Sequence, residues 1–159
     1  MHTYEIMLSK KFLSWHSRKG QPTNFAKTFR NAKIHTMRGE YDAWNARFEQ
    51  IYAGEACLSV KIWEGESFRS KKIELARLTR EDGISLQRLS FIKQATPGGF
   101  SSWNCTEVLI DGHRWPTDLV AHNDGLSKQD WLDWFFRDPN FDPNDPVALI
   151  NFTSKRYNK

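Results

Sequence analysis

Only two cysteines occur in 159 residues, Cys57 and Cys105, with neither CxxC spacing nor a neighbouring histidine pair. A disulfide framework and a Cys/His zinc site are therefore not expected, and both thiols read as reduced packing residues. No apolar run approaches the roughly 18 residues that cross a bilayer, and the opening MHTYEIMLSKK lacks the charged-then-apolar layout of a signal peptide. A soluble, cytoplasmic protein without a membrane partner is expected. Gly-rich phosphate fingerprints such as GxGxxG or GxxxxGK are missing, which argues against nucleotide-cofactor chemistry of those types. His2, His16, His113 and His122 are scattered and form no ligand spacing, so neither metal nor cofactor is expected. There is no internal repeat and no biased segment that would read as disordered.

What is present suffices for one compact unit. Hydrophobic residues make up 39%, with 7 Trp, 11 Phe and 4 Tyr, enough for a single domain over residues 1–159. Charge is informative by region: positions 1–38 hold eight Lys or Arg against one acidic residue, and positions 39–159 hold fifteen against eighteen. That asymmetry favours an anionic partner near the N-terminal third, because fixed positive potential concentrates anions; a merely solvated basic surface is the plain alternative.

TYEIMLS has the alternation of a first strand, ended by the basic, exposed loop HSRKGQP. Thr23 is a candidate cap for a helix over NFAKTFRNA, with Phe25 and Phe29 on one face. KIHTMR, Lys33 to Arg38, follows as a strand or extended loop. Strict alternation would put Lys33 and Thr36 on opposite faces, so the two can act together only across a bend. Asp42 is expected to cap the helix AWNARFEQIYAG, whose Trp44, Phe48 and Ile51 form a core stripe stopped by Gly54. ACLSVKIW and KKIELARL read as paired strands, Thr79 with Asp82 as a capped turn, RLSFI as a strand, and QATPGGFSSWN as a long loop. Asp111-Gly112 signals a hairpin between TEVLI and HRW. TDLVAHNDG and SKQDWLDWFFR read as helices, and VALINFTS as a closing strand. Six to eight strands, mostly neighbours in sequence, give an α+β fold: a small, mostly antiparallel sheet or barrel with helices packed at its rim.

The succession helix, KIHTMR, YAGEACLSVKIW, ELARLTRED, AHNDGLSKQDWLDWFF and VALINFTS resembles the ASCH domain, a small β-barrel related to the RNA-binding PUA domains. The resemblance runs roughly from Ser9 to Thr153, and its most specific part is Lys-x-x-Thr-x-Arg between a helix and the Gly-acidic start of a strand. It implies a PUA-like barrel with a cleft at its mouth that binds RNA or a modified nucleoside. A subset of the family are amidohydrolases that deacetylate acetylcytidine with a Lys, a Thr and a Glu. Matched by motif, Lys33 and Thr36 take the first two roles, Arg38 matches the following arginine, and Asp124 stands where the family has Glu. Asp is one methylene shorter, roughly 1.5 Å less reach, and misplacement on that scale can cost around two orders of magnitude in rate. The chain is also longer than the minimal hydrolases, chiefly from Leu89 to Pro116.

A threonine hydroxyl is a poor nucleophile at neutral pH and needs a base nearby and donors for the developing oxyanion. Lys33 can serve either need: deprotonated by burial it would accept the Thr36 proton, and charged it would hold the oxyanion while Asp124 handles protons. Arg38 suits a carbonyl or phosphate oxygen, which its paired donors can grip. The bland reading is a solvated lysine, a buried threonine and a paired arginine. His35 is either an acid or base in the cleft or a hydrogen-bonded strand residue. Trp63 and Trp103 can offer a stacking face for a base, the latter beside Gly98 and Gly99 in a loop able to move over a cleft. Trp131 and Phe135, four apart, belong with the core. Three functions remain open: RNA or nucleoside binding, amide hydrolysis with Thr36 as nucleophile, and a protein-interaction module using the late aromatic helix.

Overall fold

In the computed structural model, which describes residues 1–92 and 105–158, the chain alternates short helices with eight strands laid into two sheets. The first sheet holds three strands. β1 (His2–Leu8) runs parallel to β3 (Ala56–Trp63), and β3 pairs antiparallel with β4 (Lys72–Leu78). The parallel pair departs from the expected neighbour-to-neighbour pairing. Such a pair needs a long crossover, supplied here by α1 (Phe25–Thr28), β2 (His35–Arg38) and α2 (Tyr41–Tyr52). The second sheet has the order β2-β8-β5-β6-β7, all antiparallel, with β5 (Ser85–Phe91), β6 (Glu107–Ile110), β7 (His113–Pro116) and β8 (Val147–Asn151). The class is mixed α+β, and among the described residues no ladder joins the two sheets into a closed barrel.

β8 explains how the halves cohere. Its five residues, VALIN, are all buried because alternate side chains serve two cores. Ala148 and Ile150 join a cluster with Ile6, Leu58, Phe48 and Ile51, while Val147 and Leu149 join one with Leu89, Val108, Val120 and Trp131. Burying each large side chain in this way stabilises by about 1.5–3 kcal/mol. The stripe Trp44, Phe48, Ile51 faces the first core as its spacing requires. α3 (Thr117–Asn123) and α4 (Lys128–Phe136) close the second core, with Ser127 capping α4 by accepting the Asp130 amide.

Hairpin and turn chemistry follow the sequence. Asp111 (φ 50°) and Gly112 (φ 83°) both adopt left-handed conformations in the two-residue connection between β6 and β7, as the Asp-Gly pair demands. Thr79 and Asp82 make both reciprocal bonds of a capping box over a 3-10 turn. Elsewhere local expectation gives way. α1 is only four residues, since Phe29 leaves helical geometry and Arg30 turns back so that its N–H donates to the Lys33 carbonyl. Asn24 rather than Thr23 holds the cap position of α1; the Thr23 hydroxyl donates to the carbonyls of Ser9 and Lys10 and accepts a long bond, 3.4 Å, from the Phe25 N–H. Asp42 lies in the first turn of α2 rather than at its cap, which Glu40 occupies. His16 is buried within the loop expected to be exposed, bonded to the Asp130 carbonyl at 2.9 Å. No helix among the described residues is long and apolar enough to cross a membrane.

Candidate functional site

KIHTMR splits into a strand and a bend. β2 begins only at His35, and Lys33 precedes it, bridged by backbone to Phe29 on one side and Asp124 on the other. Ile34 completes the step: its N–H donates to the Asn123 carbonyl and its C=O accepts from Phe152 N–H. Along β2, Thr36 sits opposite Ile150 and Arg38 opposite Ala148. The bend therefore brings Lys33 to the face that carries Thr36 and Arg38, and all three line one pocket with Asp124, Phe25 and Leu126.

Asp124 ends α3, and its short side chain is no handicap. Because Lys33 and Asp124 are backbone partners, a carboxylate one methylene shorter than Glu still meets the ammonium: Lys33 Nζ donates to Asp124 Oδ1 at 2.5 Å and to the Asp124 carbonyl at 3.1 Å. Asp124 Oδ2 accepts from Trp131 Nε1–H at 3.1 Å. Lys33 also lies 4.0 Å above the Phe25 ring centroid, a cation–π contact in a desolvated setting. Gly125 makes the approach possible. It has φ +76°, and a Cβ there would stand 3.1 Å from Lys33 Cβ.

Lys33 and Asp124 are both buried. Burial pushes the Lys33 ammonium below its ordinary pKa, and the Asp124 charge opposes that only in part. Burial pushes Asp124 the other way, but the Lys33 charge, with His35 beside it, more than offsets this and holds the carboxyl below its usual range. Lys33 thus gives up its proton more readily than a solvated lysine, while Asp124 keeps its charge to lower pH than a solvated carboxylate. Arg38 is likewise lowered by burial. Its Nη1 donates to Thr36 Oγ1 at 3.0 Å and to the Met37 carbonyl at 2.7 Å, and its Nη2 to the Met7 carbonyl at 2.7 Å. Arg38 is thus anchored across to β1, with the Thr36 oxygen polarised by a cation.

His35 belongs to the support of this site rather than its lining. Its ring is fully buried, and its Nε2 is 2.8 Å from Tyr157 Oη. Asn123 Nδ2 donates to the same oxygen at 2.9 Å, so the Tyr157 proton is free to go to His35 Nε2. In that tautomer the ring proton is on Nδ1, which has no hydrogen-bond partner among the described residues and lies 3.7 Å from Asp124 Oδ1. Trp63 does not line this pocket. It borders a separate, larger cleft with Lys10, Lys11 and Phe68. Trp103 lies outside the described residues, as does the whole loop expected at residues 94–104.

Three contributors escaped the sequence. Trp131 is the core residue its spacing indicates, with 0% exposure, yet its indole N–H also fixes Asp124. Tyr157, beyond the closing strand, is buried and reaches the site through His35. Phe25, expected only as a helix face, is the ring beneath Lys33. For each, the signal was a residue type compatible with burial, which does not say what its polar or π group meets.

The pocket holds about 30 Å³, space for one water-sized group, and is bounded by Leu8, Met37, Trp134 and Phe135 besides the polar residues. Met37, Arg38, Trp134 and Phe135 also border a wider cleft of about 340 Å³. The hollow can therefore accept the edge of a molecule, such as a carbonyl or an amide, while the body stays in the wider space. No protein-family model, curated protein or solved structure matches the chain.

Proposed function

We propose that this is an ASCH-like protein whose Lys33–Thr36–Arg38–Asp124 hollow receives the polar edge of a nucleobase, in a free modified nucleoside or in single-stranded RNA. The convergence of those four side chains on one pocket carries the reading. The ring of a base does not fit in about 30 Å³, but an exocyclic or acyl oxygen does. The fold we propose is a PUA-like barrel of which the two sheets are the walls; the helix–motif–helix–strand order around β2 supports it. Titration calorimetry with N4-acetylcytidine and cytidine tests the binding. Saturable heat that is lost in Thr36→Val and Arg38→Lys is expected, and equal binding by parent and variants would reject the site.

A second reading, amide hydrolysis, is favoured by the lowered Lys33 and the cation-polarised Thr36 hydroxyl. In it, Thr36 Oγ bonds to the acyl carbon while its proton passes to the Lys33–Asp124 pair. The C–N bond breaks with that proton returned to the departing amine, and water then releases the acyl group as a carboxylic acid. Incubation with N4-acetylcytidine should liberate cytidine and acetate in equal amounts. Release that persists in Lys33→Ala or Thr36→Ala would exclude this mechanism.

A further inference from the structure

His35 Nδ1 is a nitrogen without a hydrogen-bond partner among the described residues, on a ring that is 0% exposed. Leaving such a group unpaired in the interior costs about 1–3 kcal/mol, so its presence calls for a reason. It lies 3.7 Å from Asp124 Oδ1, the same oxygen that accepts from Lys33 Nζ at 2.5 Å. We propose that His35 is a positioning residue that gives this oxygen a second donor: Asp124 Oδ1 turns from Lys33 to His35 Nδ1–H when an oxygen entering the hollow engages the Lys33 ammonium. The step deepens the nucleoside reading, and rests on it only for the entering oxygen.

The surroundings suit such a turn. Asp124 Oδ2 accepts from Trp131 Nε1–H at 3.1 Å, which makes that oxygen the pivot and Oδ1 the swinging end. Moving Oδ1 by about 1 Å brings it to an ordinary N–H···O distance from His35, about 2.8 Å. The carboxylate is the partner that moves, because Asp124 ends α3 ahead of Gly125 whereas His35 is paired within β2 to Asn151 of β8. When Oδ1 leaves, Lys33 keeps the Asp124 carbonyl at 3.1 Å and the Phe25 ring centroid at 4.0 Å. The ammonium therefore stays in the hollow, with one donor released from the ion pair.

The tautomer this requires is the one that Tyr157 favours. Its hydroxyl is 2.8 Å from His35 Nε2 and already accepts from Asn123 Nδ2 at 2.9 Å, so donation of the phenol proton to Nε2 leaves the ring proton on Nδ1. Gln87 fixes Tyr157 in turn: its Oε1 accepts the Tyr157 N–H at 3.0 Å and its Nε2 donates to the Tyr157 carbonyl at 2.9 Å. An apolar ring would fill the same space without an unpaired donor. A histidine whose proton is held toward Asp124 supplies instead a dipole that a relocated carboxylate can use.

Long-range proton–nitrogen correlation spectra of the full chain read the His35 ring directly. In the parent the proton is expected on Nδ1 with Nε2 bare, and the reverse tautomer would overturn the proposal without any variant. Lys33→Met removes the competing ammonium, so Asp124 should close on His35 and move the Nδ1 proton downfield as a charge-assisted bond forms. That movement should be lost in Lys33→Met/Asp124→Asn, which a mere change of packing would not undo. An unmoved proton in Lys33→Met, or a movement that persists in the double variant, would overturn the switch. Saturating N4-acetylcytidine should move the same proton downfield in the parent. A saturable shift of the Trp131 indole that leaves His35 Nδ1 unmoved would also overturn the switch. Movement in Lys33→Met with no response to N4-acetylcytidine at either residue would support the switch while rejecting the nucleoside reading.

Discussion

At Lys33, burial and pairing pull in opposite directions. The side chain is 2% exposed, so its charge depends on Asp124, and Asp124 depends equally on Lys33. Removing either partner leaves the other's charge unpaired in the interior, at about 3–5 kcal/mol, whereas replacing both by apolar groups of similar volume recovers much of that loss. Urea denaturation should therefore rank Lys33→Met and Asp124→Leu each well below the parent, with the double variant more stable than either; additive losses would contradict the coupling. Asp124, with its folded pKa lowered, contributes stability above the unfolded carboxylate value of about 3.9, and that contribution is lost as pH falls through the folded value. An acid titration of unfolding free energy should show a shallower acid limb in the double variant than in the parent. Tyr157→Phe tests the support. It leaves His35 Nε2 and Asn123 Nδ2 facing a missing oxygen, which should cost about 1–3 kcal/mol. At this scale the motif spacing indicated Lys33, Thr36 and Arg38, and its resemblance to the ASCH pattern indicated Asp124. Trp131 and Tyr157 were not legible, because a residue's type and spacing predict that it is buried, not which atom its one polar group will find.

Among the elements, the bend before β2 and the α3–α4 turn are what assemble the site. Gly125 has a positive φ and packs against both Lys33 Cβ and Thr28 Oγ1, so Gly125→Ala adds backbone strain to a contact of 3.1 Å. A loss of about 1–3 kcal/mol is expected, together with weakened ligand binding as the turn moves off Lys33. Gly112→Ala is the matched control. It carries the same kind of φ but meets nothing within 4 Å, so it should lose stability alone, by about 1 kcal/mol, without touching the site. A binding defect in Gly112→Ala, or none in Gly125→Ala, would separate Gly125 from the site. Elements with strong local signals, such as α2, β3 and the Asp111-Gly112 hairpin, lie close to where the sequence places them. α1 does not, because Phe29 and Lys33 pair by backbone after a left-handed Arg30 and so truncate a segment whose composition alone favours helix. The β1–β3 pairing was also hidden. Two segments about fifty residues apart carry no local mark of being partners.

Across the whole molecule, the basic N-terminal third divides into working and free cations. Arg18 pairs with Asp130 at 2.5 Å and Lys10 donates to the Glu64 carbonyl at 2.6 Å, while Lys11 and Lys19 are exposed. Lys10 and Lys11 border the cleft of about 840 Å³ that also contains Trp63 and the 88% exposed Phe68. If single-stranded RNA follows this face, each phosphate contact removed should lower the salt slope of binding by about 0.7. Lys11→Ala/Lys19→Ala should then reduce it by roughly 1.4 without destabilising the fold. An unchanged slope would take RNA off this surface and leave a free nucleoside as the ligand. The sign asymmetry was legible by counting; that some of its charges are tied into the fold was not.

The most direct measurement follows the Trp131 indole N–H, which donates to Asp124 at the base of the hollow. In a proton–nitrogen correlation spectrum, with the resonance assigned by Trp131→Phe, titration with N4-acetylcytidine should shift that signal saturably in the parent and leave it still in Thr36→Val. A Trp131 resonance that stays fixed while other tryptophans respond would place the ligand away from Lys33, Thr36, Arg38 and Asp124, and would contradict the account.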